Sequence, residues 1–149
     1  MNHMDFLRNV SLFESLDQQE LEALSDLTFT RSFGKDGVII LAEEEGDTLF
    51  ILKKGQVKVS IVSEEGREVI LSLLGPGSVF GELSLLDGKP RSANVVATED
   101  TDLLMLRRSD FIQLIYKTPQ IATALLAELA TRLRKTDRQI EGLALLDVT

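Results

Sequence analysis

Two hydrophobic periods share this chain. Residues 5–27 read as helical, with Leu21, Leu24 and Leu27 falling on one face. Asp17-Gln18-Gln19-Glu20 supplies the N-cap and N3 residues of a capping box, and Leu16 and Leu21 are placed to staple the chain's entry into the helix. From Thr28 the period shortens to that of strands, punctuated by glycines 46, 55, 66, 75, 77, 81 and 88. Val38 to Leu41 and Leu49 to Leu52 are apolar runs, and Lys53-Lys54-Gly55 reads as a turn. Val57, Val59 and Ile61 alternate with Lys58 and Ser60, the pattern of a half-buried strand. Glu64 to Arg67 is another turn, Glu68 to Leu74 the next strand, and Val95 to Leu106 supplies the last strands. Beyond Arg107 the helical period returns. Ser109 is placed to cap a short helix over Asp110 to Tyr116, and Pro119 suits the first turn of a long helix from around Gln120 to Leu143.

Strands this closely spaced predict a compact antiparallel barrel or roll. The expected fold class is mainly β with flanking helices. Residues 1–108 would form an N-terminal helix and the β module, and residues 109–149 a short helix followed by a long one. The 149 residues suit a single domain, and a hydrophobic share of 44% with few aromatics gives a core of Leu, Ile and Val. A net charge of -8 disfavours direct contact with a phosphate backbone but leaves room for one anion held by a local Arg. There is no cysteine, which removes disulfides, iron–sulfur clusters and thiolate chemistry and fits a cytoplasmic protein. The single histidine, His3, lies in Met1-Asn2-His3-Met4, which looks like a cloning remnant, so no functional role is expected of it. No stretch has the length of a membrane helix, and no signal-peptide pattern opens the chain.

The chemically informative stretch runs from Phe80 to Val95. Glu82 to Leu86 has room for one or two helical turns, Asp87-Gly88 ends them, and Pro90 enforces an extended entry into Arg91. A short helix opening at Gly81 offers unpaired N–H groups to an anion. Arg91 can add a bidentate bond to phosphate oxygens, and Ser92 a hydroxyl and an amide. Glu82 is an acceptor, which repels phosphate but takes hydrogen bonds from sugar hydroxyls. Singly, each residue also has a plain reading: a Gly-Glu turn, a solvated strand end, or a Glu82–Arg91 ion pair that only stabilises the loop.

Together these residues resemble a known family. Phe80-Gly81-Glu82-Leu83-Ser84-Leu85, followed by Arg91-Ser92-Ala93 and Val95, resembles the phosphate-binding cassette of cyclic nucleotide-binding domains. Gly46-Asp47-Thr48-Leu49-Phe50-Ile51-Leu52-Lys53-Lys54-Gly55-Gln56-Val57 resembles the other signature of that family. The resemblance implies a β-roll (a double-stranded, jelly-roll-like β-helix) and a cyclic nucleotide as effector, with no metal. It implies that Gly81 and Glu82 meet the ribose, that Arg91 and Ser92 hold the cyclic phosphate, and that Leu83 supplies a backbone group beside it. Val59, Leu71 and Ser72 match base-lining positions of bacterial members; for Val59 and Leu71 plain β-roll core is the competing reading. One departure is Glu43, in the acidic run Ala42-Glu43-Glu44-Glu45, where the family usually has Gly. It implies a different turn there.

At the C-terminus, Leu129, Leu133, Thr136, Ile140 and Leu143 recur at the heptad spacing of a two-stranded coiled coil, hence a homodimer. The alternative is a single helix packed on its own β-roll. Ala130 to Thr136 and Leu143 to Thr149 resemble the dimer helix and hinge of CRP/FNR-family transcription regulators, where the hinge leads into a helix-turn-helix domain. By that resemblance the chain is a sensor half, neither an enzyme nor a membrane protein, reaching DNA only through a C-terminal domain it does not contain. Thr136 would meet the adenine N6 region, and Asp137 would reach the ligand of the partner chain, where the family's activators have Ser. An ionised Asp accepts and does not donate. Cyclic AMP is expected ahead of cyclic GMP. Other readings are a kinase or channel regulatory module, or the same fold with another ligand or none. A cupin-like metalloenzyme would need a histidine cluster.

Overall fold

The computed structural model describes residues 3–43, 46–81, 93–131 and 134. Helix α1 (Met4–Arg8), a 3-10 turn (Ser11–Phe13) and α2 (Gln18–Leu27) precede the strands. The strands are β1 (Phe29–Phe33), β2 (Val38–Ile40), β3 (Thr48–Lys54), β4 (Val57–Val62), β5 (Glu68–Leu74), β6 (Val79–Phe80), β7 (Asn94–Ala97) and β8 (Thr101–Arg107). Helix α3 (Arg108–Lys117) follows, and residues 120–131 are helical (α4).

The strands form two antiparallel four-stranded sheets, ordered β1-β8-β3-β6 and β2-β7-β4-β5. This is the β-roll that the strand spacing and the family resemblance implied. Its apolar residues divide by strand face. On β3 and β8, Leu49, Ile51, Leu104 and Leu106 pack with Leu7, Phe13, Leu24, Phe111 and Leu125 of the helices. The alternate residues Phe50, Leu52, Leu103 and Met105 join Ile40, Val57, Phe80 and Val95 in a second cluster. Strand β3 is thus covered on both faces, which is why Leu49 to Leu52 reads as an unbroken apolar run.

The capping box forms: Glu20 N–H donates to Asp17 Oδ1 at 2.8 Å, and Asp17 N–H to Glu20 Oε1 at 3.0 Å. Leu16 and Leu21 on either side are both buried. The helix expected over 5–27 does not form as one piece. Leu7, Val10, Leu12, Phe13 and Leu16 are all buried. At ~100° per residue they would span more than half of a helix circumference, so the chain buries them by turning at Asn9–Val10 and again after Phe13. Leu27, expected on the apolar face, is 41% exposed.

Three further expectations change. Lys53 and Lys54 continue β3, and the turn falls at Gly55, whose φ is +101°. A Cβ there would lie 2.5 Å from Asp100 O and Thr101 Oγ1, so this position requires glycine. Ser109 sits inside the first turn of α3; the N-cap is Arg107 and makes no side-chain cap. Ser60, read as an exposed position, is buried. Its hydroxyl donates to Glu68 Oε2 at 3.4 Å, and Lys58 Nζ donates to Glu68 Oε1 at 2.9 Å.

Candidate ligand site

Strand β4 runs between β5 and β7, and this arrangement sets the surroundings of Val59, Leu71 and Ser72. Val59 pairs with Ser72 on one side and with Val95 on the other. It packs against the inter-sheet cluster, so its face is the inner one. Ser72, directly opposite, shares that face. The next pair is Ser60 with Ile70, which leaves Leu71 as an extra residue on β5. Ile70 follows Ser60 to the outer face, and Leu71, the unpaired residue between Ile70 and Ser72, interrupts the strict alternation of side chains there. Such a bulge lets the adjacent residues Leu71 and Ser72 turn toward one side, beside Val59. A strand without it would send them to opposite faces. Plain core does not describe Leu71, which is 47% exposed; Val59 and Ser72 are half-buried.

Glu68 steadies this hairpin from its outer face. The hydrogen bond from Lys58, followed by its charge and by the Ser60 hydroxyl, holds the Glu68 carboxyl below its usual pKa against the opposing effect of burial.

Gly81 follows β6 at a φ of +86°, in the left-handed region that glycine occupies without strain. Before it, the Phe80 ring stacks on Phe50, with centroids 5.2 Å apart and planes within 8°. Glu82, Leu83, Arg91, Ser92, Thr136 and Asp137 lie outside the described residues, as do Leu133, Ile140 and Leu143 of the heptad. Leu129, the first heptad residue, packs partly against the chain's own helical core.

The turn at Glu43 is left-handed. Glu43 has a φ of +73°, so the backbone keeps a conformation suited to glycine, and the side chain is accommodated at a cost of about 1–2 kcal/mol. Asn94, at the start of β7, helps hold it: its Oδ1 accepts the Ala42 N–H at 2.7 Å. Asn94 gives no sign of this role in the sequence, since a lone Asn at a strand end carries no pattern.

A separate cleft of about 610 Å³ lies between the 3-10 segment, the β5–β6 turn and α4. Its lining among the described residues includes Glu14 and Glu128 and no cationic side chain, a combination that does not favour a phosphate. Among the described residues no three metal-ligating side chains converge, and no helix is long and apolar enough to cross a membrane.

The chain is similar to known proteins over most of its length. The family model described as Cyclic nucleotide-binding domain matches residues 30–118. The chain is 37% identical to the Cyclic AMP receptor protein of Thermus thermophilus over 138 residues, 93% of this chain and 64% of that protein. It is similar to the crystal structure of the Thermus thermophilus catabolite activator protein, with a TM-score of 0.81 and 38% identity, covering 90% of this chain and 63% of that one. It is also similar to the N-terminal domain of a transcriptional regulator from Streptomyces coelicolor A3(2), with a TM-score of 0.72 and 34% identity, covering 91% of this chain and 95% of that one. The chain thus spans just under two thirds of the Thermus thermophilus proteins it matches.

Proposed function

The chain belongs to the cyclic nucleotide-binding domain family, and from that premise we propose that it is the cyclic AMP-sensing domain of a CRP/FNR-type transcription regulator. The observation that supports this reading is the β5 register shift, which leaves Leu71 unpaired beside Ser72, itself opposite Val59. A purine can lie there between aliphatic carbon and a hydroxyl. The strand on the other side of β4 is β7, and Arg91 and Ser92 stand just before it in sequence.

In this reading Arg91, Ser92 and backbone N–H groups following Gly81 neutralise the cyclic phosphate, with Leu83 contributing a main-chain group. Glu82 accepts from the ribose 2′-hydroxyl. The base meets Val59, Leu71, Ser72 and Thr136, and Asp137 of the partner subunit accepts from its amino group. The protein acts as a cytoplasmic homodimer joined through its C-terminal helices. It reaches DNA through a further domain of the kind that its relatives' additional length accommodates. The ligand drives signalling only by its differential affinity for two helix arrangements, about 1–3 kcal/mol.

Calorimetric titration of cyclic AMP and cyclic GMP into the wild type and Arg91→Ala tests this. Cyclic AMP should bind the wild type, more tightly than cyclic GMP, and lose about 10- to 100-fold in affinity in the variant. Equal binding by both proteins would refute the phosphate role.

A further inference from the structure

The chain's single histidine has no part in the nucleotide reading, yet it is one of the more enclosed polar residues, 6% exposed. Its main-chain N–H donates to Ser25 Oγ of α2 at 3.0 Å. Its ring nitrogens face two other elements: Nε2 lies 3.4 Å from Thr30 Oγ1 on β1, and Nδ1 lies 3.1 Å from Lys53 Nζ on β3. Three separate elements thus position this residue.

The chemistry of the partners fixes the ring's protonation. A lysine ammonium donates and has nothing to accept with. Nδ1 must therefore be bare, and the neutral ring carries its proton on Nε2, facing the Thr30 hydroxyl. We propose that His3 is an acid-sensitive latch, holding α1 against α2 and the β1–β3 surface only while its imidazole is neutral. Adding a proton to Nδ1 removes the acceptor and sets two cations 3.1 Å apart. The charged groups acting on the ring are Lys53 from β3 and the chain's own amino terminus. Toward α2 and β1, His3 meets only the uncharged hydroxyls of Ser25 and Thr30 among the described contacts. No carboxylate figures among these influences, so nothing in this set compensates a second positive charge. Consistent with that geometry, burial, then Lys53, then the amino terminus hold the ring's pKa below its usual value.

Release would be felt beyond the first turn. Leu7 N–H donates to the His3 carbonyl at 2.9 Å, and Met4 and Leu7 are buried in the cluster that includes Leu125 of α4. Opening the latch loosens the packing of the helix expected to carry the ligand signal, although the latch itself does not depend on a nucleotide.

Because the chain has one histidine, its imidazole can be titrated by NMR in the intact protein without assignment ambiguity. The midpoint should lie below 6.5, the ordinary histidine value, and move upward in Lys53→Met. Hydrogen-exchange protection of the Leu7 amide should fall severalfold as the pH drops through that midpoint. In His3→Gln, which keeps an acceptor but cannot titrate in this range, protection should stay constant. A midpoint at the ordinary value that Lys53→Met leaves in place, or Leu7 protection that ignores the ring's titration, would overturn the proposal.

Discussion

Thr118 Oγ1 donates to Glu20 Oε2 at 2.5 Å, across 98 positions of sequence. The other oxygen of the same carboxylate closes the capping box of α2. One side chain thus ties the start of an N-terminal helix to the junction between α3 and α4. The Thr118 bond, followed by the Asp17 main chain, holds the Glu20 carboxyl below its usual pKa.

A carboxylate with a depressed native pKa stabilises the fold above its unfolded value, and that stability is lost as pH falls through the native value. Urea midpoints measured from about pH 6 down to about pH 3 should therefore fall more steeply for the wild type than for Glu20→Gln. Thr118→Val should flatten the wild-type curve toward that of the variant. Parallel curves for all three proteins would remove Glu20 from the acid response.

Glu43→Gly should stabilise the protein. The position already has a φ of +73°, so glycine relieves strain without altering the turn. Part of the gain is offset by the freer unfolded chain, leaving about 0.5–1 kcal/mol. For a domain of this size that is roughly 2–4 °C in Tm per kcal/mol. Asp36→Gly, at a φ of +70°, should gain less, because aspartate tolerates this region better than glutamate.

Gly55→Ala should do the opposite. Its φ is +101°, and the added methyl would fall 2.5 Å from Asp100 O and 2.8 Å from Thr101 Cα, both backbone atoms. Rotamer changes cannot clear them, so the expected loss exceeds about 2 kcal/mol, read as a lowered urea midpoint at unchanged slope.

Two aspartates on one strand test the bulge. Leu71→Asp introduces a charge on the inner face proposed for the base, and should weaken cyclic AMP binding by about tenfold or more. Leu73→Asp lies opposite Lys58 on the outer face and should leave affinity near the wild-type value. Both leucines are about half exposed, 47% and 58%, so neither change should unfold the protein. Equal effects on binding would mean that the two side chains do not face different ways.

Much of this architecture was legible before any coordinates, and the exceptions have physical causes. Strand β5 falls where its apolar run predicts, from Glu68 to Leu74. Its bulge could not be read, because Val69-Ile70-Leu71 has no alternation to interrupt; only pairing with β4 exposes the extra residue. The break after α1 was hidden because Leu7, Val10 and Phe13 alone resemble one helical stripe, and Leu12 and Leu16 reveal the conflict only when all five must be buried. The positive φ of Glu43 could not be read, because glutamate seldom adopts the left-handed region. His3 had no signal at all: its contacts lie 22, 27 and 50 positions away.

The pairing of β1 with β8 sets a constraint on biosynthesis. Phe29 waits for Met105, the partner it faces in the finished sheet. At bacterial or eukaryotic elongation rates that interval is roughly 4–15 s. During it Phe29 to Phe33 has no edge to join, and the emerging apolar surface of α2 lacks Phe111 and Leu125 to cover it. Until β8 emerges, strand β1 therefore has no sheet partner, and part of the apolar face of α2 stays uncovered.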